Sequence, residues 1–357
     1  MSQCGLNKGY HIDINVTSIC NLACTYCSEG VECGLSSLYL KNSQVKVETL
    51  IERLSKDKDT SQINFWGGEP FINWNYCKAI MDGFGDRFTY FFYTNGILIP
   101  DFIDEIKEYA KKLNVIIQIS YDGRHLTDTI RVDKTGKGTS ERVENAYKLL
   151  KENGIKTSLK SVISSEGFPY LFESFKDLYD LQGYYNPTPD LYSELNWDEF
   201  QDSLKVLEVE LKKIMQYIYQ HNLEPKSFSW FGNSRAICSA GEGILAVDLT
   251  GEVFPCHGAM YEGRDEYKVG EVNDFGTEKI QNVRNEFKNL NKALPFECQT
   301  CTVKFCMKCQ AANLSKSQGH TFQEKWNDYQ SNWQVCQLFK FNDKFNQTIN
   351  KLILERK

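Results

Sequence analysis

The stretch Cys20-Asn21-Leu22-Ala23-Cys24-Thr25-Tyr26-Cys27 puts three thiols within eight residues, spaced C-x3-C-x2-C. It follows an alternating apolar run over residues 10–16, the pattern of a half-buried strand. So tight a group wraps one side of a single inorganic cluster. Three thiolates bind three irons of a [4Fe–4S] cube and leave the fourth iron open to an outside ligand. A ferredoxin-type carrier would supply a fourth cysteine close by, and here the next one, Cys33, lies six residues on. A zinc knuckle is the competing reading, because soft thiolates suit zinc as well.

Around this stretch, short β-rich runs alternate with amphipathic helical segments from residue 10 to about 190. The pattern predicts strands at 11–16, 62–66, 89–93, 115–120 and 156–163, with a sixth near 184–186. Helices are expected at 45–55, 74–84, 101–113, 140–153 and 169–181. In the third of these, Phe102, Ile106, Tyr109 and Leu113 form one apolar stripe. Strand then helix, repeated about six times, implies parallel strands with right-handed crossovers. That is an α/β chain, and its length over this region suits a partial (β/α)6 barrel better than a closed eight-stranded one. Functional residues then belong at the C-terminal ends of the strands. A long helix over 197–221, with Leu204, Leu207, Leu211 and Ile214 on one face, leads out of the barrel.

The 357 residues include 13 cysteines and carry a formal charge of −6. With 41% hydrophobic and 13% aromatic residues the chain has ample core material, which excludes a disordered protein. No Lys/Arg block marks a nucleic-acid or lipid surface. Residues 1–8 hold no apolar signal segment and no run of 18 apolar residues occurs, so no membrane span is expected. The cysteines cluster in short steps, as metal ligands do in reducing compartments. The expectation is a cytoplasmic, oxygen-sensitive metalloprotein with no nucleic-acid partner.

The strand ends carry further signals. Residues 62–66 run into Gly67-Gly68-Glu69-Pro70, where paired glycines let backbone approach a ligand closely. The third strand ends in Tyr93-Thr94-Asn95-Gly96. The fourth ends in Ser120-Tyr121-Asp122-Gly123, followed by Arg131 and Gly136-Lys137-Gly138. Taken with the triplet and its Tyr26, these motifs resemble radical S-adenosylmethionine enzymes. The resemblance implies that Cys20, Cys24 and Cys27 hold a [4Fe–4S] cluster whose open iron chelates S-adenosylmethionine. Reductive cleavage of that cofactor then leaves a hydrogen-abstracting 5′-deoxyadenosyl radical. It also implies cofactor contacts from Tyr26, Gly67, Gly68, Glu69, Pro70, Asn95, Ser120 and Arg131, with Ser120 and Arg131 near the ribose and carboxylate. No catalytic base is legible.

The last third changes character. Cys238 and Cys256 flank two short runs around Leu249-Thr250-Gly251, a hairpin by its turn chemistry. Cys298, Cys301, Cys306, Cys309 and Cys336 follow. This order resembles the SPASM extension of radical enzymes, which binds two auxiliary [4Fe–4S] clusters, although two of its inner gaps are one residue shorter here. The resemblance assigns Cys238, Cys256 and Cys309 to one cluster and Cys298, Cys301, Cys306 and Cys336 to the other. Seven cysteines leave one iron open, or closed by Cys4, Cys33, Cys77 or His257. A zinc ribbon is the alternative. Cys77 reads as a packed core thiol, and Cys33 as a loop thiol or a hydrogen-atom donor. The implied organisation is a barrel over 1–195, a bridging helix and linker over 196–230, the auxiliary-cluster domain over 231–340 and a C-terminal helix over 341–357.

The resemblance further implies an enzyme: a peptide maturase that oxidatively crosslinks a ribosomally made precursor peptide. Formylglycine formation on a sulfatase, peptide epimerisation and plain electron carriage are the alternatives. Implied partners are the precursor peptide, an external flavodoxin- or ferredoxin-type electron donor, and a separate leader-recognition protein.

Overall fold

The computed structural model describes residues 10–27, 44–189, 197–224, 227–228, 238–262 and 267–292, with isolated positions 301, 303, 336, 337, 340 and 347. Five parallel strands run side by side in chain order: β1 (Tyr10–Asn15), β2 (Thr60–Trp66), β3 (Thr89–Thr94), β4 (Asn114–Ser120) and β5 (Lys156–Lys160). Between them lie α1 (Val47–Leu54), α2 (Trp74–Phe84), α3 (Ile99–Lys112), α4 (Arg124–Ile130) and α5 (Ser140–Glu152). Beyond β5 the chain forms β6 (Val162–Ile163), α6 (Leu171–Gln182) and β7 (Thr188–Pro189), and β7 pairs parallel with β6.

Each strand divides its side chains between two faces, as the two-residue period requires. Ile12, Ile14, Ile63, Phe65, Tyr90, Phe92, Ile117 and Ile119 pack into the main core under the helices. The alternate set lines the barrel interior and is mostly polar or aromatic, with Ile116 the aliphatic member on β4: Asp13, Asn64, Trp66, Tyr93, Gln118, Ser120, Ser158 and Lys160. α2 buries Trp74, Cys77, Ile80, Met81 and Phe84. It stops at Gly85, whose positive φ of 59° few other residues adopt. Cys77 is fully buried, the core thiol that its neighbours imply.

Three sequence expectations shift. The run 156–163 is interrupted at Ser161, so β5 and β6 are separate; there Asp122 Oδ1 accepts the Val162 N–H at 2.9 Å. The sixth strand lies at Thr188–Pro189 rather than 184–186. Tyr185 instead donates its N–H to Ser227 O and bridges Phe228, which draws this stretch out of the barrel wall. The helix expected from residue 169 begins at Leu171, after a 3-10 turn at Ser165–Tyr170 that contains Pro169.

The long helix is α7 (Trp197–Gln220). Leu204, Leu207, Leu211 and Ile214 are all buried, and the helix packs on α6 and the preceding 3-10 turn. Next comes the expected hairpin, β8 (Ile244–Val247) and β9 (Glu252–Phe254), paired antiparallel. Its turn is held by Asp248 Oδ1, which accepts the Thr250 and Glu252 N–H groups, with Gly251 at φ 90°. β8 joins β1 in parallel register, so the hairpin continues the barrel sheet. α8 (His257–Glu262), β10 (Gly270–Glu271) and α9 (Glu278–Lys292) complete the described chain. From α9, Arg284 reaches back to the barrel: it pairs with Asp57 at 3.0 Å and lies over the Tyr10 ring at 4.4 Å. No helix among the described residues is long and apolar enough to cross a membrane.

Candidate active site

The loop after β1 carries Cys20, Cys24 and Cys27, and two walls fix it. On one side the loop after β2 presses against it. Gly68 donates its N–H to Thr17 O at 2.7 Å and Glu69 to Ile19 O at 2.9 Å. A Cβ at Gly68 would sit 2.3 Å from Ile19 O, and one at Gly67, where φ is 136°, 2.3 Å from Thr17 O. Glycine is needed here for close approach. The Glu69 side chain turns inward, fully buried, and accepts from Thr94 Oγ1 (2.7 Å), Asn95 N (2.8 Å) and Phe71 N (3.2 Å). Burial pushes its carboxyl up to about 7, against the pull of these donors. Asn95 continues the wall, its Nδ2 meeting Asn21 Oδ1 at 2.7 Å and Cys20 Sγ at 3.7 Å.

The other wall comes from β4 and the segment after α4. Ala23 donates to Val132 O and Thr25 to Ile130 O, a short antiparallel contact along the thiol loop. Asp122 is buried with Arg131, Nε to Oδ2 at 2.5 Å. Tyr26 joins the pair, its hydroxyl 3.3 Å from Asp122 Oδ2 and its ring 5.2 Å from the guanidinium. Ser120 stands half-buried at the end of β4, opposite Lys160 on β5. Thus the thiol loop, Tyr26, Gly67–Pro70, Asn95, Ser120 and Arg131 come together at the C-terminal ends of β1 to β4.

A cluster fits this donor set. The thiols are one from an open triplet, with Cys27 exposed and Cys20 and Cys24 half-buried. Burial raises both half-buried thiols, Cys20 to about 11, so metal binding has to displace their protons. A cube spreads its thiolates over separate corner irons.

In the last third, Gly241 donates to both Ile244 O and Pro255 O, which draws the flanks of the hairpin, Cys238 and Cys256, to the same end. Cys256 Sγ accepts the Ala259 N–H at 3.4 Å, at the start of α8. Cys301 is exposed and Cys336 half-buried; Cys4, Cys33, Cys298, Cys306, Cys309 and the expected helix over 341–357 lie outside the described residues. Cys77 is fully buried in the core on α2.

One feature escaped the sequence reading. His257, next to Cys256, bonds Asp13 through Nδ1 at 2.8 Å and stacks on Trp66 at 4.5 Å. Asn64 Nδ2 closes on the other Asp13 oxygen at 2.6 Å. A lone acid in an apolar strand was the available signal, but its partner lies 244 residues away.

This geometry defines a protein that binds an iron–sulfur cluster and a small cofactor at the mouth of a partial barrel. Residues 14–181 match the Radical SAM superfamily, and such a domain implies S-adenosylmethionine and a [4Fe–4S] cluster as cofactors. Among curated relatives, the radical SAM cyclopropyl synthase TigE of Paramaledivibacter caminithermalis is 26% identical over 284 residues, 70% of this chain and 57% of TigE. The serine-type anaerobic sulfatase-maturating enzyme of Bacteroides thetaiotaomicron is 21% identical over 81% of this chain and 79% of its own length. The fold matches the structure of anSMEcpe with bound AdoMet and Cp18Cys peptide, with a TM-score of 0.68 at 18% identity, over 97% of this chain and all of that one.

Proposed function

We propose that the protein is a radical S-adenosylmethionine peptide maturase that oxidatively modifies a ribosomally made precursor peptide, forming a thioether or carbon–carbon crosslink. The observation that carries the reading is the hairpin between Cys238 and Cys256, built edge-on onto β1, the strand that leads into the radical thiol loop. A second thiol group on the same sheet suits the removal of an electron from a substrate radical. In this reading Cys20, Cys24 and Cys27 hold the reducing cluster, and the later cysteines hold two auxiliary ones.

When bound, the cofactor supplies one-electron reductive cleavage and a hydrogen-abstracting radical. The chain's own residues position it. Gly67 and Gly68 bring backbone up to the cluster loop, Glu69 and Asn95 hold that backbone from behind, and the Asp122–Arg131 pair with Ser120 forms the opposite side. The polar barrel interior accommodates a polar substrate segment. An external low-potential electron donor feeds the site.

Co-expression under anaerobic conditions with a short peptide encoded nearby tests the reading by mass spectrometry. Loss of two hydrogens with a fragmentation-resistant segment is expected. Unchanged peptide, with a sulfatase peptide converted to formylglycine instead, would replace it by the second reading, which the sulfatase-maturating relatives favour. Replacement of Cys336 is expected to lose product while sparing some cofactor cleavage.

A further inference from the structure

Among the described residues, two charged side chains of the barrel interior have partners and a third has no anion beside it. Asp13 has His257 and Asn64, and Arg131 has Asp122. Lys160, at the C-terminal end of β5, has no carboxylate partner among the described residues. Its Nζ donates to the backbone oxygen of Asn186 at 2.9 Å, which leaves two of its three donors unassigned. The side chain is partly exposed, so it borders open space rather than sealed core. An ammonium left without an anion is costly unless something fills the place.

Register fixes where this place is. Lys160 lies opposite Ser120, and the neighbouring pairs are Gln118 with Ser158 on the same interior face. Ser120 ends the strand whose next residues, Tyr121 and Asp122, lead into the wall of the cluster loop. Lys160 therefore stands at the barrel mouth, one strand further round than the cofactor wall. Burial lowers its pKa to about 8, with no anion to offset it.

We propose that Lys160, its Nζ anchored on Asn186 O, forms a subsite that holds a carboxylate of the peptide substrate. The inference rests on the peptide-maturase reading above. A single ammonium matches a monoanion. Two sources share this chemistry: an Asp or Glu side chain, and the α-carboxylate of a C-terminal residue.

Acetylation footprinting of the cluster-loaded protein tests it without relying on turnover. Lys160 is acetylated with an N-hydroxysuccinimide ester and quantified by peptide mass spectrometry, with the exposed Lys156 of the same strand as the reference. The probes are N-acetyl-glutamate N-methylamide, N-acetyl-glutamine with a free α-carboxylate, and N-acetyl-glutamine N-methylamide. At about ten times its dissociation constant a bound probe leaves roughly a tenth of the sites open, so Lys160 acetylation is expected to slow about tenfold. Protection by the first probe alone assigns the site to an acidic side chain, and protection by the second alone to a chain terminus. The uncharged third probe is expected to do nothing.

Equal protection by the uncharged probe, no protection by any, or a Lys160 that resists acetylation overturns the subsite. So does protection by S-adenosylmethionine alone, which would give Lys160 to the cofactor. Failure of the probes on a protein that modifies its peptide removes the subsite and keeps the maturase reading. Protection on a protein that modifies no peptide removes the maturase reading instead.

Discussion

The two walls of the thiol loop each bury a carboxylate, and they hold it by opposite means. Glu69 is satisfied by three neutral donors, from Phe71, Thr94 and Asn95, and no cation among the described residues touches it. Asp122 is held by the Arg131 guanidinium and by the Val162 N–H. A neutral amide in place of the acid keeps one acceptor oxygen and gives up a neutral hydrogen bond, with no charge left stranded. A buried ion pair that loses one member leaves a charge with no partner. One wall is therefore a hydrogen-bonded shelf that sets backbone position. The other is an electrostatic lock that joins β4, β6 and the segment after α4.

The largest expected effect is at the lock. Asp122→Asn strands the guanidinium in the protein interior and is expected to cost about 3–5 kcal/mol in urea denaturation. The double variant Asp122→Asn with Arg131→Met removes the stranded charge and is expected to recover much of that loss. A single variant as stable as wild type would break the comparison.

Gly68→Ala comes next. Its added methyl would fall 2.3 Å from Ile19 O, so the loops must part, and iron retained per chain after anaerobic reconstitution is expected to drop severalfold. Full iron content in this variant would mean that the shelf does not position the thiols.

Glu69→Gln tests the neutral shelf and is expected to cost only about 1–2 kcal/mol. It also carries a pH signature. Burial raises the Glu69 carboxyl from its usual 4.5 to about 7, so between those values the folded chain binds more protons than the unfolded one. Stability contributed at this group is then lost as pH rises through that window. Denaturation midpoints taken at both ends are expected to show that the variant loses less than wild type does. An identical slope would mean that Glu69 titrates normally.

The smallest effect belongs to a thiol outside both walls. Cys77→Ala removes a buried sulfur at a cost of about 1 kcal/mol and is expected to leave cofactor cleavage intact. Cleavage lost with Cys77 would place it in the chemistry.

Local pattern was the part of this molecule that could be read from its sequence. The helix over 74–84, the stripe Leu204, Leu207, Leu211 and Ile214, and the hairpin around Asp248–Gly251 follow from periodicity and turn chemistry within a few residues. The cluster loop and Gly67-Gly68 were legible for the same reason: they are contiguous motifs. Partners distant in sequence were not. Nothing near Asp122 announces that its oxygen will interrupt a strand 40 residues later, and Asp13–His257 and Asp57–Arg284 span more than 200 residues. α4 was hidden by Asp122-Gly123, which reads as a turn and instead precedes the helix directly. α9 had a signal, Ile280, Arg284 and Phe287 on one face, but its arginine sits where an apolar residue is expected.

Formation of 5′-deoxyadenosine is the most direct test of the site. Anaerobically reconstituted protein is given S-adenosylmethionine and a one-electron reductant, and wild type is compared with Cys24→Ala and Cys256→Ala. Wild type is expected to release 5′-deoxyadenosine, Cys24→Ala none, and Cys256→Ala a reduced but measurable amount. Cleavage that persists in Cys24→Ala, or that vanishes equally in both variants, would contradict the division between a radical thiol loop and an auxiliary hairpin.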